Sequence, residues 1–96
     1  MRRVVITGIG IVSSIGNDAE AVTKSLHDAR SGIVAAPDYV ELGFRSQVKG
    51  AVDIDLNAHI DRKQMRFMGE GAGYAVVAMQ QAVADSGLEP SDVSSP

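Results

Sequence analysis

The sequence predicts an α/β protein, and three stretches carry this prediction. Residues 4–12 are apolar apart from one threonine and two glycines, with no alternation of apolar and polar positions. A strand with one wet face would alternate, so this run is typical of a strand in a parallel sheet that helices cover on both sides. Helical patterns follow at residues 17–31 and 61–86, where apolar residues recur every three or four positions.

Gly8 and Gly10 lie two residues apart within the predicted strand. A glycine in a strand has no side chain to pack, so the pair indicates that a neighbouring backbone or helix approaches one face closely. The pair also resembles the start of a dinucleotide-binding G-x-G-x-x-G fingerprint. However, the third glycine position is Ser13, and no strand ending in an acidic residue follows about 20 residues later. A packing role is favoured, and a nucleotide-dependent oxidoreductase stays open as an alternative.

The composition describes an ordinary globular segment and argues against several classes of protein. The 96 residues carry a net charge of −3 with an isoelectric point near 5.2, whereas nucleic-acid-binding domains usually carry a basic face. The chain has no cysteine, and therefore no disulfide, thiolate metal site or cysteine nucleophile. No stretch approaches the roughly 20 apolar residues of a membrane-spanning helix. We expect a cytoplasmic protein without nucleic-acid or membrane partners.

Local signals place a helix, a loop and a strand between the first strand and residue 60. The helix is predicted to begin at Asn17, whose side chain can cap it while Glu20 reaches back to the N–H of the cap. Gly32 is predicted to end this helix in the left-handed conformation. Residues 34–43 contain a proline and a glycine, which predicts a connecting loop with at most one helical turn. Residues 44–52 alternate between two faces, which predicts an edge strand.

The last third of the chain predicts one long helix. Asp61 can cap it, Gln64 completes a capping box, and Gly87 ends it in the left-handed conformation. Apolar and small residues occupy nearly every face, so we expect the helix to be buried almost all round. Three glycines lie within it: Gly69, Gly71 and Gly73. Each costs about 1 kcal/mol relative to alanine, and we expect close contact with another element to compensate.

Residue types that often carry chemistry occur here without the partners that such chemistry requires. The chain has two histidines, but no H-x-x-x-H or H-E-x-x-H spacing and no cysteine that could complete a metal site. Its paired serines lack a G-x-S-x-G context, and two aspartates lie in a polar run after the predicted edge strand. We interpret the following as surface or turn residues: His27, His59, Ser13, Ser14, Asp53 and Asp55.

A cluster of basic residues contrasts with the acidic balance of the chain: Arg62, Lys63 and Arg66. Spacings of three and four residues place these cations on one face of the predicted long helix, within its first turns. The N-terminus of a helix already carries about half a positive charge, which disfavours cations there by a few tenths of a kcal/mol each. The cluster therefore indicates an anionic partner, with a solvated charged face as the alternative.

The whole chain resembles the N-terminus of the β-ketoacyl-acyl carrier protein synthases, the condensing enzymes of fatty-acid synthesis. Five stretches carry the resemblance: RRVVITGIGIVSSIGND at 2–18, SGI at 31–33, FRSQVKG at 44–50, IDRKQMRFM at 60–68 and QQAVADSGL at 80–88. The opening stretch is shared by the wider family, whereas the VSSIG loop and the IDRK-x-x-RFM stretch together favour the synthase I branch. The three glycines at 69, 71 and 73 depart from the family pattern.

The resemblance implies a homodimer with a thiolase-like fold of two αβαβα halves, in which residues 1–96 form the N-terminal part of the first half. The fold is then incomplete in this chain, which has no internal domain boundary. The first strand would lie inside a five-stranded sheet. No metal or organic cofactor is implied.

The resemblance also implies a decarboxylative Claisen condensation between acyl and malonyl thioesters of acyl carrier protein. A cysteine thiolate takes the acyl group, and two histidines stabilise the oxyanion that develops as malonyl-carrier protein loses CO₂. These catalytic residues are expected beyond residue 96. Arg62, Lys63 and Arg66 match the basic residues of the synthase I motif that contact the acidic helix of the carrier.

Three hypotheses for the function remain at this point. The first is a segment of a condensing enzyme, the second a segment of a nucleotide-dependent oxidoreductase, and the third a non-enzymatic binding module that uses only the basic cluster. A cysteine at the start of a later helix would favour the first, and a strand ending in an acidic residue would favour the second. A chain of only these 96 residues that still folds would favour the third.

We expect the 96-residue chain by itself to show no condensing activity, because it has no cysteine to accept an acyl group. The measurement is covalent transfer of radiolabel from acyl-carrier protein to the purified chain, counted after denaturing electrophoresis. A protein known not to be acylated sets the background. Labelling of the chain above that background would contradict the prediction.

Overall fold

The computed structural model describes residues 1–94, which fold into two compact units. One unit contains residues 1–12 with the described residues from 55 onward, and the other contains residues 13–54. In chain order the elements are α1 (Ala19–His27), β1 (Ile33–Ala35), α2 (Pro37–Glu41), β2 (Val48–Gly50), a 3₁₀ turn (Leu56–Ala58), α3 (Arg62–Met65), α4 (Glu70–Ser86) and α5 (Pro90–Val93). The described chain is therefore a small α/β structure.

The predicted first strand does not form within the described residues. Val4 and Ile6 are 91% and 94% exposed, and residues 1–12 pair with no other strand of the described chain. A strand requires a neighbour that satisfies its backbone N–H and C=O groups, and none of residues 1–94 supplies one here. The predicted parallel sheet is likewise not found among these residues. The sheet that they form has two antiparallel strands, β1 and β2.

The predicted close approach to Gly8 and Gly10 is confirmed, and the approaching element is α4. A Cβ atom on Gly8 would overlap the carbonyl oxygen of Ala82, and one on Gly10 would overlap that of Ala78. The extended segment between these glycines is also hydrogen-bonded to the helix. The N–H of Ile9 donates to the carboxylate of Asp85 at 3.0 Å, and the N–H of Ile11 donates to the side-chain oxygen of Gln81 at 3.0 Å.

Helix α1 begins and ends differently from the prediction. Its N-cap is Asp18 rather than Asn17, with a carboxylate oxygen that accepts from the N–H of Ala21 at 2.7 Å. The residue in the left-handed conformation after the helix is Ala29, with a φ of 52°, rather than Gly32. The N–H groups of Ala29 and Arg30 close the last turn on two carbonyl oxygens, as in a Schellman motif.

Gly32 has a different physical role from the predicted helix stop. A Cβ atom there would overlap the carbonyl oxygen of Ser14, so this glycine allows the start of the hairpin to lie against the loop before α1. Gly50, which pairs with Ile33 in the two-stranded sheet, packs against the same loop. A Cβ atom on Gly50 would come within 3.2 Å of the Ser14 hydroxyl oxygen.

The two short strands lie only partly where the sequence predicts a strand. β2 (Val48–Gly50) falls within the predicted strand over 44–52, whereas β1 (Ile33–Ala35) falls largely in the predicted loop. Three residues without alternation carry too weak a pattern to be recognised. The loop predicted to contain at most one helical turn contains the five-residue helix α2 (Pro37–Glu41), and Ala36 just before it is fully buried.

The predicted long helix is divided at Gly69. Asp61 caps α3 as predicted, with its carboxylate accepting from the N–H of Lys63 at 3.4 Å, but α3 ends at Met65. Gly69 is extended, with φ −76° and ψ 169°, and is the N-cap of α4. Gly87 ends α4 with a φ of 73°, which confirms the predicted left-handed stop.

The prediction that the long helix is buried almost all round is wrong for the described residues. Only Gly73 and Val77 of α4 are buried, because within residues 1–94 the helix meets the N-terminal segment and the 3₁₀ turn but no covering layer. Of the three glycines, Gly73 has the predicted close contact, since a Cβ atom there would come within 2.7 Å of Leu56. Gly71 has open space around it instead.

We expect the isolated 96-residue chain to associate or to unfold without cooperativity, because its apolar run at residues 4–6 and much of α4 are exposed. Sedimentation, thermal melts and amide exchange would measure this. A monodisperse monomer with a cooperative transition and protected amides at residues 4–6 and 72–78 would contradict it.

Gly10→Ala is expected to destabilise the protein by about 1–3 kcal/mol or more, because the new methyl group would overlap the Ala78 carbonyl of α4. Denaturant unfolding of the longer protein predicted from the sequence would measure the loss. Gly71→Ala is the matched control, since it adds the same methyl group in open space and gains up to about 1 kcal/mol of helix propensity. Equal effects of the two substitutions would contradict the close packing at Gly10.

Candidate functional site

The three basic residues singled out from the sequence lie together on α3 and its end. Arg62 and Lys63 are the first two residues of this four-residue helix, and Arg66 is its C-cap. The N-cap carboxylate of Asp61 starts the turn that carries them. All three basic side chains are exposed. Arg62, Lys63 and Arg66 are called the basic cluster below.

The structure removes most of the predicted opposition between the helix dipole and the basic cluster: Arg62 and Lys63 do begin a helix, but the helix is a single turn, and Arg66 lies at its other end. The sequence predicted these cations at the positive end of one long helix, whereas α3 contains four residues and Arg66 lies at its C-terminal end. A single turn has few aligned peptide groups, and a cation at its C-terminus is favourably placed. The helix dipole therefore supplies no evidence for an anionic partner here.

The evidence for an anionic partner is instead the lack of ion-pair partners around the basic cluster. Among residues 1–94, no carboxylate lies within 4.0 Å of the charged nitrogens of Arg62, Lys63 or Arg66. Lys24 and Lys49 do have such neighbours, at 3.8 Å from Asp28 and 3.5 Å from Asp38, whereas the remaining arginines of the described chain also lack one. The cluster is distinguished by three unpaired cations that lie close together, at residues 62–66. The cluster can therefore offer its three charges to an external anionic surface.

An aromatic residue that the sequence did not assign to the site follows the basic cluster directly. Phe67 is 92% exposed, although it belongs to the long helix that the sequence predicts to be buried almost all round. Its position next to Arg66 gave no signal, because adjacent residues on a helix point in different directions and an apolar one can be buried beside an exposed cation.

A second region, around the loop before α1, has polar side chains around a cavity but no activated nucleophile. It forms an open cavity of about 410 Å³ lined by Ser13, Lys24, Ser25 and Arg30 among others. The hydroxyl of Ser25 donates to the carbonyl oxygen of Ile15 at 2.6 Å, and that of Ser13 donates to Gly16 at 3.1 Å. No histidine or carboxylate is hydrogen-bonded to either hydroxyl, so neither serine is activated as a nucleophile.

The remaining candidates occupy the surface or turn positions predicted for them. Ser13 and Gly16 exchange two backbone hydrogen bonds, of 2.9 and 3.4 Å, which confirms the tight turn. Asp55 caps the 3₁₀ turn by accepting from the N–H of Asn57 at 3.1 Å. His27 and His59 are exposed. Within the described chain no group of three histidine, cysteine, aspartate or glutamate side chains could hold a metal ion.

No helix among residues 1–94 is both long enough and apolar enough to cross a membrane. The longest, α4, has 17 residues.

Comparison with known proteins gives one consistent result over the whole chain. The family model described as "Beta-ketoacyl synthase, N-terminal domain" matches residues 1–96. The chain is 50% identical over 94 residues to a 3-oxoacyl-[acyl-carrier-protein] synthase 1 from Haemophilus influenzae, and 50% identical over 90 residues to one from Escherichia coli. A 3-oxoacyl-[acyl-carrier-protein] synthase 2 from Vibrio harveyi is 38% identical over 89 residues.

These alignments cover nearly all of this chain but a small part of each relative. They include 98%, 94% and 92% of the chain, respectively. The same alignments include 23%, 22% and 21% of the relatives. The chain therefore spans less than a quarter of the length of the curated relatives that it matches.

Proposed function

This chain belongs to the β-ketoacyl synthase family, and we propose its function on that basis. It is the N-terminal segment of a condensing enzyme that elongates acyl-carrier protein with malonyl-carrier protein by decarboxylative Claisen condensation in fatty-acid biosynthesis. The observation that carries this proposal is the match of the family's N-terminal-domain model to residues 1–96. The identity of 50% to two type 1 synthases, against 38% to a type 2 synthase, supports a type 1 enzyme.

The 96 residues contribute scaffold and substrate docking to that enzyme rather than the reacting groups. They contain no cysteine, so the thiolate that accepts the acyl group is expected on another part of the enzyme. Ser13 and Ser25 donate their hydroxyl hydrogens to backbone carbonyl oxygens. His27 and His59 are exposed, and neither forms a nucleophile–base pair with these serines. The catalytic cysteine therefore lies outside residues 1–96, and the two histidines that the family resemblance implies are proposed to lie there as well.

The basic cluster docks the acyl carrier protein. Arg62, Lys63 and Arg66 are exposed and have no carboxylate neighbours among residues 1–94, and the relatives are named for acyl-carrier-protein substrates. Charges at the rim of an interface act mainly on the association rate and on orientation, and their effect weakens with salt. The partner is thus an acidic carrier that presents acyl and malonyl thioesters.

The enzyme is a cytoplasmic homodimer with a thiolase-like fold, in which this chain starts the first αβαβα half. The apolar run at residues 4–6 is exposed in the described chain and has the two apolar faces of an inner strand. Several further strands and a second helical layer would bury it together with the uncovered faces of α4. The chemistry requires no metal or organic cofactor.

A charge-reversal experiment in the full-length enzyme tests both the activity and the docking surface. The parent is expected to convert acyl- and malonyl-carrier protein into β-ketoacyl-carrier protein with release of CO₂. Changing Arg62, Lys63 and Arg66 together to Glu is expected to raise the apparent KM for both carrier substrates by about tenfold or more, since about 1.4 kcal/mol suffices for that factor. Acylation of the enzyme by a small thioester and its thermal stability are expected to persist.

The control is the matched reversal of three other exposed cations, Arg2, Lys24 and Arg30, which changes the net charge by the same amount. A parent without condensing activity would contradict the proposed function. If the parent is active and the cluster variant uses carrier substrates as well as the parent at low salt, the basic cluster is only a solvated helix face.

A further inference from the structure

We infer that Phe67 is an apolar anchor for the acyl carrier protein beside the basic cluster. This inference rests on the function proposed above and extends it to a residue without charge. The side chain is 92% exposed, follows Arg66 directly and lies four residues after Lys63. The docking surface therefore combines positive charges with one aromatic ring.

The backbone places Phe67 on the same short turn as the basic cluster. Its N–H donates to the carbonyl oxygen of Gln64 at 3.1 Å, and the N–H of Met68 donates to that of Met65 at 3.2 Å. These bonds of three-residue span continue α3 as a tighter 3₁₀-type turn, in which side chains three residues apart lie above one another. Phe67 therefore lies above Gln64, on the edge of the turn next to the edge that carries Lys63 and Arg66.

The segment has an inner and an outer side, and Phe67 lies on the outer one. Ile60, just before the turn, is only 5% exposed, and Met65 and Met68 are partly buried. Arg62, Lys63 and Arg66 are exposed together with Phe67. Because the two methionines supply the packing side, the aromatic ring is not required to complete it.

The combination of charges around an aromatic ring is typical of a protein interface. Aromatic residues are enriched at the centre of such interfaces, and charged residues surround them at the rim. A phenylalanine ring has a large apolar area to bury and no polar group that needs a partner. The basic cluster would orient an acidic carrier, and Phe67 would then fill an apolar depression between the carboxylates of the carrier.

Other exposed apolar residues lack this arrangement. Residues 4–6 form a consecutive apolar run, and Met79 lies on a face of α4 with Ala75, Val76 and Val83. Residues 4–6 follow Arg2 and Arg3, but they have the two apolar faces of an inner strand, and α4 carries no cation, so both surfaces fit packing within the larger fold. Phe67 is the exposed aromatic residue of the described chain that lies within a cluster of unpaired cations.

Phe67→Ala in the full-length enzyme tests the inference. We expect the apparent KM for malonyl-carrier protein to rise by about tenfold, equivalent to about 1.4 kcal/mol, because the apolar contact is lost. The KM for a malonyl thioester of a small thiol and the thermal stability are expected to stay unchanged. Phe67→Leu is expected to recover most of the loss. Met79→Ala, on α4, is the control for a packing residue and is expected to lower the melting temperature while leaving both KM values unchanged.

Salt distinguishes the anchor from the basic cluster. The fold increase in the KM for malonyl-carrier protein caused by Phe67→Ala is expected to be the same at low and high ionic strength. The fold increase caused by charge reversal of the basic cluster is expected to shrink as salt is raised. A normal KM for malonyl-carrier protein in Phe67→Ala would overturn the inference. So would an equal loss with the small thioester accompanied by a lower melting temperature, since Phe67 would then belong to the core.

The outcomes also separate this inference from the function on which it rests. A loss on reversing the basic cluster with no loss in Phe67→Ala would overturn only the aromatic anchor. An active enzyme that tolerates both changes would overturn the docking surface as a whole. An inactive parent would overturn the proposed function itself.

Discussion

The contact between residues 8–11 and α4 is the constraint on which the first unit depends. Gly8 and Gly10 leave no room for a Cβ atom against the helix, and two side chains of α4 bind the backbone between them. This arrangement gives an extended segment the backbone partners that a neighbouring strand would otherwise supply. It also fixes which face of α4 stays free, because the residues that contact the segment all lie on one side of the helix.

The features that the sequence predicted correctly are those set by a few adjacent residues. The helix cap at Asp61 and the stop at Gly87 follow from local hydrogen bonding and backbone conformation. The tight packing at Gly8 and Gly10 was predictable because a glycine in an apolar run adds no side chain to the core and so indicates a close neighbour. By contrast, the strand at residues 4–6 and the burial of α4 depend on partners distant in sequence, and pattern alone does not say whether residues 1–94 contain them.

The candidate site shows the same contrast between features set by adjacent residues and features that depend on the fold. The residues of the basic cluster could be recognised from the sequence, but not that they lie on a separate short helix. The apolar periodicity continues without a break through Gly69, where the structure ends one helical segment and begins α4. The break at Gly69 leaves the helix dipole with little role, so the cluster is distinguished by three unpaired cations that lie close together in the chain. Phe67 was assigned to the core because periodicity reports spacing rather than direction, and only the turn after α3 separates the outer residues from the inner ones.

The hydrogen bond between Ile9 and Asp85 joins residues 76 positions apart in the chain. During translation the N-terminal segment therefore emerges long before the helix that binds it has been made. At roughly 5–20 residues per second, the ribosome needs about 4–15 s to synthesise the intervening chain. Throughout that interval the N–H groups of Ile9 and Ile11 lack the two α4 side chains that bind them in the folded chain, so this contact forms only after α4 has been made.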